Sequence, residues 1–276
     1  VPGTASGLFH AHAQGGSLPM EQLLAPAARV AREGFEADGN HIAAVNSMRR
    51  TRERLPWTRT ISGWVWEQWC HEGSVEVGTR LTNPALANTL ERLGAEGISA
   101  WRTGEIPEAL ARAARSSGGK LTPQAIAGYR ASACTPLVIE DAFFDDSLIT
   151  MPPPSSGGIA IAQILGMNEV LLKQAGLPRV PDADTSHQLV EAMKIAFGLR
   201  AEYLADPKFA PVPIEQLTDR EGIRRMAEAI EADRARSARE VSEAQQLPED
   251  RGTSHLAVID GDRTAVAWTS TINGTF

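Results

Sequence analysis

At 276 residues, 42% hydrophobic and 22% charged, the chain is long enough for one large domain with a sizeable core and is too apolar for a disordered segment. Its formal net charge of −7 argues against nucleic acid as a partner, because neutralising phosphates takes clustered Lys and Arg. No apolar run approaches the roughly 20 residues that cross a bilayer, and the cysteines, Cys70 and Cys134, are spaced without a metal or redox motif.

In chain order, His10 and His12 precede the Gly15-Gly16 break. On a strand they would share a face, yet no further ligand follows at a metal spacing, so no metal site is expected. Ser17 and Pro19 open a helix that Gly34 stops, with Pro26 expected to bend or divide it. Residues 51–81 are less regular and hold Trp57, Trp64, Trp66 and Trp69; the residue type favours a packed excursion over a partner surface. The nearby arginines, Arg49, Arg50, Arg52 and Arg54, read as solvated surface.

Helical pattern then resumes. Asn83 caps a helix with Pro84 in its first turn, Leu86, Leu90 and Leu93 inward and Gly94 near its end. A second covers about Ile106 to Arg115, and a third opens at Thr122-Pro123 and ends near Tyr129. Strands are expected at 136–139 and 147–150. The Met151 to Gly158 loop offers Ser and Gly at a helix start, as a phosphate cradle does, but it lacks the Gly-Lys-Ser/Thr ending and reads as a packing device. An apolar helix follows from Gly157, and another from about Asp184 places His187 and Glu191 one turn apart, read as a hydrogen-bonded pair. A charged helix over 219–235 leads into a polar linker, about 237–252, that ends at Gly252.

Beyond the linker, two β-branched runs flank Asp260-Gly261-Asp262-Arg263 and read as a hairpin. A turn centred near Gly261 or Asp262 puts Thr253 opposite Ser270 or Thr271, with the face of each side chain depending on that one-residue choice. Alternation puts Thr271 and Asn273 on one face of the outgoing strand. A Thr opening a strand is ordinary by itself. Its surroundings are not: Thr253-Ser254-His255, the Val258-Ile259-Asp260-Gly261 strand and turn, and Thr269-Ser270-Thr271-Ile272-Asn273.

Together these resemble the self-cleavage junction of the γ-glutamyltranspeptidases. Further blocks in the same order extend the resemblance over most of the chain. They are Val1-Pro2-Gly3-Thr4, Glu33-Gly34-Phe35, Asn83-Pro84, Gly104-Glu105-Ile106, Gly118 to Tyr129, Met151 to Gly158, Glu191-Ala192-Met193-Lys194 and Tyr203 to Pro207.

The resemblance implies an N-terminal nucleophile hydrolase: an α/β, four-layer αββα sandwich, incomplete in this chain. Residues 1–252 would be a large-subunit portion and 253–276 the start of a small subunit, the two forming a heterodimer from one precursor cut between Gly252 and Thr253. Thr253 would attack the γ-amide of glutathione or a related γ-glutamyl compound, and the acyl group would pass to water or to an amino acid or peptide. The freed α-amino group, with an ordinary pKa of about 7.7–8.0, would serve as base, so His255 need not be catalytic. Thr271 would hydrogen-bond the nucleophile and Asn273 would help hold the α-amino and carboxylate end of the substrate.

No cofactor or metal is called for, and a periplasmic or secreted site is implied. The family's carboxylate-binding arginine would precede Val1, and its amino-binding aspartate, serine pair and oxyanion glycines would follow Phe276. The chain is therefore read as part of a longer one, without transferase activity by itself. Two other readings stay open: a β-lactam side-chain or poly-γ-glutamate acylase, and a processing-defective homologue that only binds.

Overall fold

A computed structural model describes residues 2–176, 182–241 and 253–271. The chain divides into two compact units, residues 1–132 with 249–276, and residues 133–248.

The first unit opens with helix α1 (Thr4–Gly15), not the strand on which His10 and His12 would share a face. Ala5, Leu8, Ala11 and Ala13 are strong helix formers, and residues two apart on a helix do not share a face. His10 and His12 are thereby separated, and His12 Nε2 instead bonds the Leu18 carbonyl at 2.7 Å. Among the described residues no cluster of His, Cys, Asp and Glu is arranged to hold a metal.

Helix α2 (Met20–Glu33) runs through Pro26 without dividing. One lost backbone bond is offset by packing on α6 (Pro84–Glu96), whose Gly94 lies so close that an added Cβ would be 2.9 Å from Glu21 Cα. Arg32 adds an ion pair to Glu91 at 2.7 Å. The α6 cap is as expected, Asn83 Oδ1 accepting the Leu86 N–H at 3.0 Å, but the helix runs past Gly94 to Glu96 and stops at Gly97, where φ is 69°.

Between α2 and α6 lie α3 (Gly39–Arg54), α4 (Thr58–Ile61) and α5 (Gly63–Gln68), with β1 (Phe35–Glu36) paired antiparallel to β2 (Arg80–Leu81). Ala37, Val75 and Leu81 form a small core against which Ile42 and Trp69 pack. The tryptophans split: Trp69 joins that core and Trp66 carries the Arg52 guanidinium 4.9 Å above its ring, whereas Trp57 and Trp64 are 64% and 58% exposed. Helices α7 (Ile98–Arg102), α8 (Glu105–Ser116) and α9 (Pro123–Gly128) follow, with Thr122 Oγ1 capping α9 through the Ala125 N–H at 3.1 Å.

In the second unit β3 (Leu137–Phe143) and β4 (Asp146–Thr150) form an antiparallel pair with a bulge between Ile139 and Phe143. Helices α10 (Gly157–Ala175), α11 (Ala183–Tyr203), α12 (Ile214–Thr218), α13 (Arg220–Glu228) and α14 (Ala238–Val241) complete it. Met167 and Leu171 of α10, Ala192 of α11, and Ile223, Ala227 and Ile230 form its core. Helix α13 ends at Glu228, short of the expected 235, and the chain beyond it turns so that Arg236 reaches the Glu191 carboxylate, Nε to Oε2 at 3.0 Å. That contact, with Lys194 Nζ at 2.6 Å, displaces the expected His187–Glu191 pair; His187 Nε2 bonds the Glu231 carbonyl at 2.9 Å instead. A fully buried carboxylate is stabilised by cations far more than by a neutral ring.

Gly158 explains the glycine pair that opens α10. A Cβ there would lie 2.4 Å from Thr150 Cγ2 and 2.6 Å from the Met151 carbonyl oxygen, so the helix start is pressed onto β4 and the loop after it. Gly158→Ala is expected to cost about 2 kcal/mol, in the range of overpacking substitutions, seen as a lower urea midpoint. An unchanged midpoint would show that the helix start can move away from Thr150 freely.

The hairpin β5 (Thr253–Ile259) and β6 (Ala265–Thr271) belongs to the first unit. The chain is thus mixed helix and sheet, as the α/β expectation has it, and among the described residues the strands form three two-stranded antiparallel pairs.

Candidate functional site

The β5–β6 turn sets everything in the site. Asp260 Oδ1 accepts the N–H groups of Asp262 at 2.9 Å and Thr264 at 2.8 Å, while Arg263 takes the left-handed conformation, φ 66°. An Asp that bonds the backbone two residues on is the ordinary chemistry of such turns. With the Asp260 N–H also bonded to the Thr264 carbonyl at 3.0 Å, the turn centres on Asp262 and pairs Ile259 with Ala265. Counting outward along the ladder, Thr253 pairs with Thr271, the second of the two registers left open by the sequence.

Those two side chains meet. The Thr253 hydroxyl donates to Thr271 Oγ1 at 2.9 Å. On the same face, two residues inward, His255 Nδ1 and Thr269 Oγ1 are 2.8 Å apart. The pairing arithmetic that joins 253 to 271 also joins 255 to 269, so this second polar pair follows from the same register. His255 is therefore hydrogen-bonded to Thr269.

Alternation sends Ser254, Leu256, Trp268 and Ser270 to the other face. The Trp268 ring lies over α1: a Cβ added at Gly7 would be 3.1 Å from its Cη2. On that face Trp268 and Ser270 are partly buried, while Thr253, His255, Thr269 and Thr271 on the hydroxyl face are all exposed. Gly252 and Asn273, the other two residues of the expected site, lie outside the described residues.

Chemically, a hydroxyl both donates and accepts. In this bond the Thr253 hydroxyl is the donor and Thr271 Oγ1 the acceptor; with the rotors reversed, Thr271 donates to Thr253 Oγ1 and can hold it as negative charge develops there. The pair is thus suited to orienting a hydroxyl nucleophile at a strand start.

The solved structures similar to this one place its fold in the α/β class of N-terminal nucleophile hydrolases. One is the gamma-glutamyltranspeptidase from Pseudomonas nitroreducens complexed with L-DON, with a TM-score of 0.71 and 30% identity over 88% of this chain and 69% of that one. The chain belongs to the gamma-glutamyltranspeptidase family, whose profile matches residues 1–276. The glutathione hydrolase proenzyme of Escherichia coli K12 is 34% identical over 100% of this chain and 46% of its own length. The acylase ACY 1 proenzyme of Pseudomonas sp. strain SE83 is 30% identical over 100% of this chain and 47% of its own. The chain therefore spans about half the length of the curated relatives it matches.

Proposed function

We propose that this chain carries the nucleophile and self-processing junction of a γ-glutamyltransferase that also acts as a glutathione hydrolase. The observation that carries the reading is the 2.9 Å bond between Thr253 Oγ1 and Thr271 Oγ1 at the first residue of β5. In this reading residues 1–252 are the large-subunit portion and 253–276 begin the small subunit, the two forming a heterodimer from one precursor. Its relative in E. coli is named a proenzyme, which supports processing here.

Processing begins when Thr253 Oγ1 attacks the Gly252 carbonyl. The peptide C–N bond breaks as an ester forms, and water hydrolyses the ester to a Gly252 carboxylate and a free Thr253 α-amine. In turnover that amine takes the Thr253 hydroxyl proton as Oγ1 bonds the substrate γ-carbonyl carbon, then gives it to the departing amine. The γ-glutamyl ester passes to water or to the amine of an amino acid or peptide. Asn273 helps hold the α-amino and carboxylate end of the glutamyl group. No cofactor enters.

Thr271→Ala is expected to slow both self-cleavage and turnover on the order of 10²-fold, the lower range for positioned groups, with Thr271→Ser recovering most of the loss. Asn273→Ala should mainly raise KM. Release of a chromogenic anilide from its γ-glutamyl derivative by the full-length protein tests both; unchanged kinetics in Thr271→Ala would remove the orienting role. The similarity to an acylase proenzyme supports a second reading with the same nucleophile, a β-lactam side-chain acylase. Cleavage of such an amide without action on the γ-glutamyl anilide would favour it.

A further inference from the structure

Exposed tryptophan is costly, and Trp57 and Trp64 are 64% and 58% accessible with Ile61 between them at 50%. These three stand at i, i+4 and i+7. Helical phase carries across the break between α4 and α5, because the Ser62 N–H bonds the Thr58 carbonyl at 3.0 Å and the Ser62 carbonyl accepts the Trp66 N–H at 2.9 Å. Three large apolar side chains therefore project along one side of the α4–α5 ridge.

Positive charge is concentrated beside them. Residues 49–67 hold five arginines against Glu53 and Glu67, in a chain whose net charge is −7. Among the described residues none of these five arginines is in an ion pair, in contrast to Arg32, Arg80, Arg92 and Arg224. The basic end of α3 is fastened to the ridge: Arg52 Nη1 bonds Ser62 Oγ at 2.5 Å and Arg59 Nε bonds the Arg52 carbonyl at 3.1 Å. Arg50 and Arg54 are exposed on the same end of α3, and Arg49, also exposed, donates from Nη2 to the Gly73 carbonyl at 2.7 Å.

We propose that the α3–α5 corner docks on the surface of an anionic lipid bilayer, Trp57, Ile61 and Trp64 entering the headgroup layer while Arg49, Arg50 and Arg54 meet lipid phosphates. Indole rings settle at the membrane–water boundary, where an apolar body and a polar N–H are both satisfied. A shallow apolar insertion backed by basic residues supplies the two signals that peripheral attachment requires. Docking requires that the corner stay uncovered in the full-length protein, since the chain spans about half the length of the relatives it matches, and the net charge of −7 leaves this basic corner as the place where an anionic surface is attracted. No helix among the described residues is long and apolar enough to cross a membrane.

The test is co-sedimentation of the full-length protein with vesicles of phosphatidylcholine, with and without phosphatidylglycerol. Binding is expected only with phosphatidylglycerol and should weaken as salt is raised. Neutralising Arg49, Arg50 and Arg54 with Gln should weaken it about 10²-fold, roughly fivefold for each basic side chain. Trp57→Ser with Trp64→Ser should weaken it about tenfold or more while circular dichroism stays unchanged, since neither ring is buried. Brominated lipid should also quench the wild-type tryptophan fluorescence, a readout that needs no variant. Equal sedimentation with both vesicle types, equal binding by wild type and variants, or capture of an acidic protein without vesicle binding would each overturn the proposal.

Discussion

Thr253→Ala is expected to leave the full-length protein folded, uncut and inactive. In the proposed mechanism the hydroxyl is the attacking atom in both processing and turnover, so its loss should lower anilide release on the order of 10⁴–10⁶-fold, the range seen when a catalytic residue is removed. Folding should not suffer, because Thr253 is exposed on β5. Thr253→Ser keeps the hydroxyl and should still be cut, more slowly if the methyl group helps hold the rotamer. Mass spectrometry and N-terminal sequencing read the result directly. Two pieces in the Ala variant, or a new N-terminus anywhere but Thr253 in the wild type, would sink the assignment of the nucleophile. Because the acylase reading uses the same hydroxyl, this experiment tests the junction and leaves the choice of substrate to the anilide assay.

The hairpin was legible to within one residue because its signals are local. A turn with Asp and Gly between β-branched runs fixes where the chain reverses, and the rest is counting. What the sequence left open was the turn centre, which depends on Asp260 reaching two backbone N–H groups, and which partner His255 finds. Helix starts at Asn83-Pro84 and Thr122-Pro123 were legible for the same reason: a cap acts over three residues. Local signals decide less where distant residues act. Helix α2 survives Pro26 through its packing on α6, and α13 stops early because Arg236 is drawn to Glu191. The exposure of Trp57 and Trp64 likewise departs from what residue type suggests, and no local pattern distinguishes them from Trp66 and Trp69.

Glu191→Ala is expected to be the most destabilising single change in the second unit, by about 3–5 kcal/mol near neutral pH, as when one partner of a buried ion pair is removed. The Glu191 side chain is fully buried, while Lys194 and Arg236 are 25% and 16% exposed. Its Oε1 takes Lys194 Nζ at 2.6 Å and the Arg236 N–H at 3.2 Å, and Oε2 takes Arg236 Nε at 3.0 Å. Lys194 also bonds the Arg236 carbonyl at 2.6 Å, so one carboxylate ties α11 to the segment after α13. Burial by itself pushes the Glu191 carboxyl up, but its bonds to Lys194 and Arg236 outweigh that and hold it below the ordinary 4.5. A group lowered on folding stabilises fully above its unfolded pKa and loses that contribution as pH falls through its folded one. Wild-type stability should therefore be level on this account from neutrality toward pH 4.5 and fall below it, and Glu191→Gln should be less stable at neutral pH with a shallower acid fall. Urea unfolding should be followed by far-ultraviolet circular dichroism, because all six tryptophans lie in the first unit and report on it alone. A Glu191→Ala variant within about 1 kcal/mol of wild type, or an acid fall equally steep in Glu191→Gln, would show that this carboxylate does not hold the second unit together.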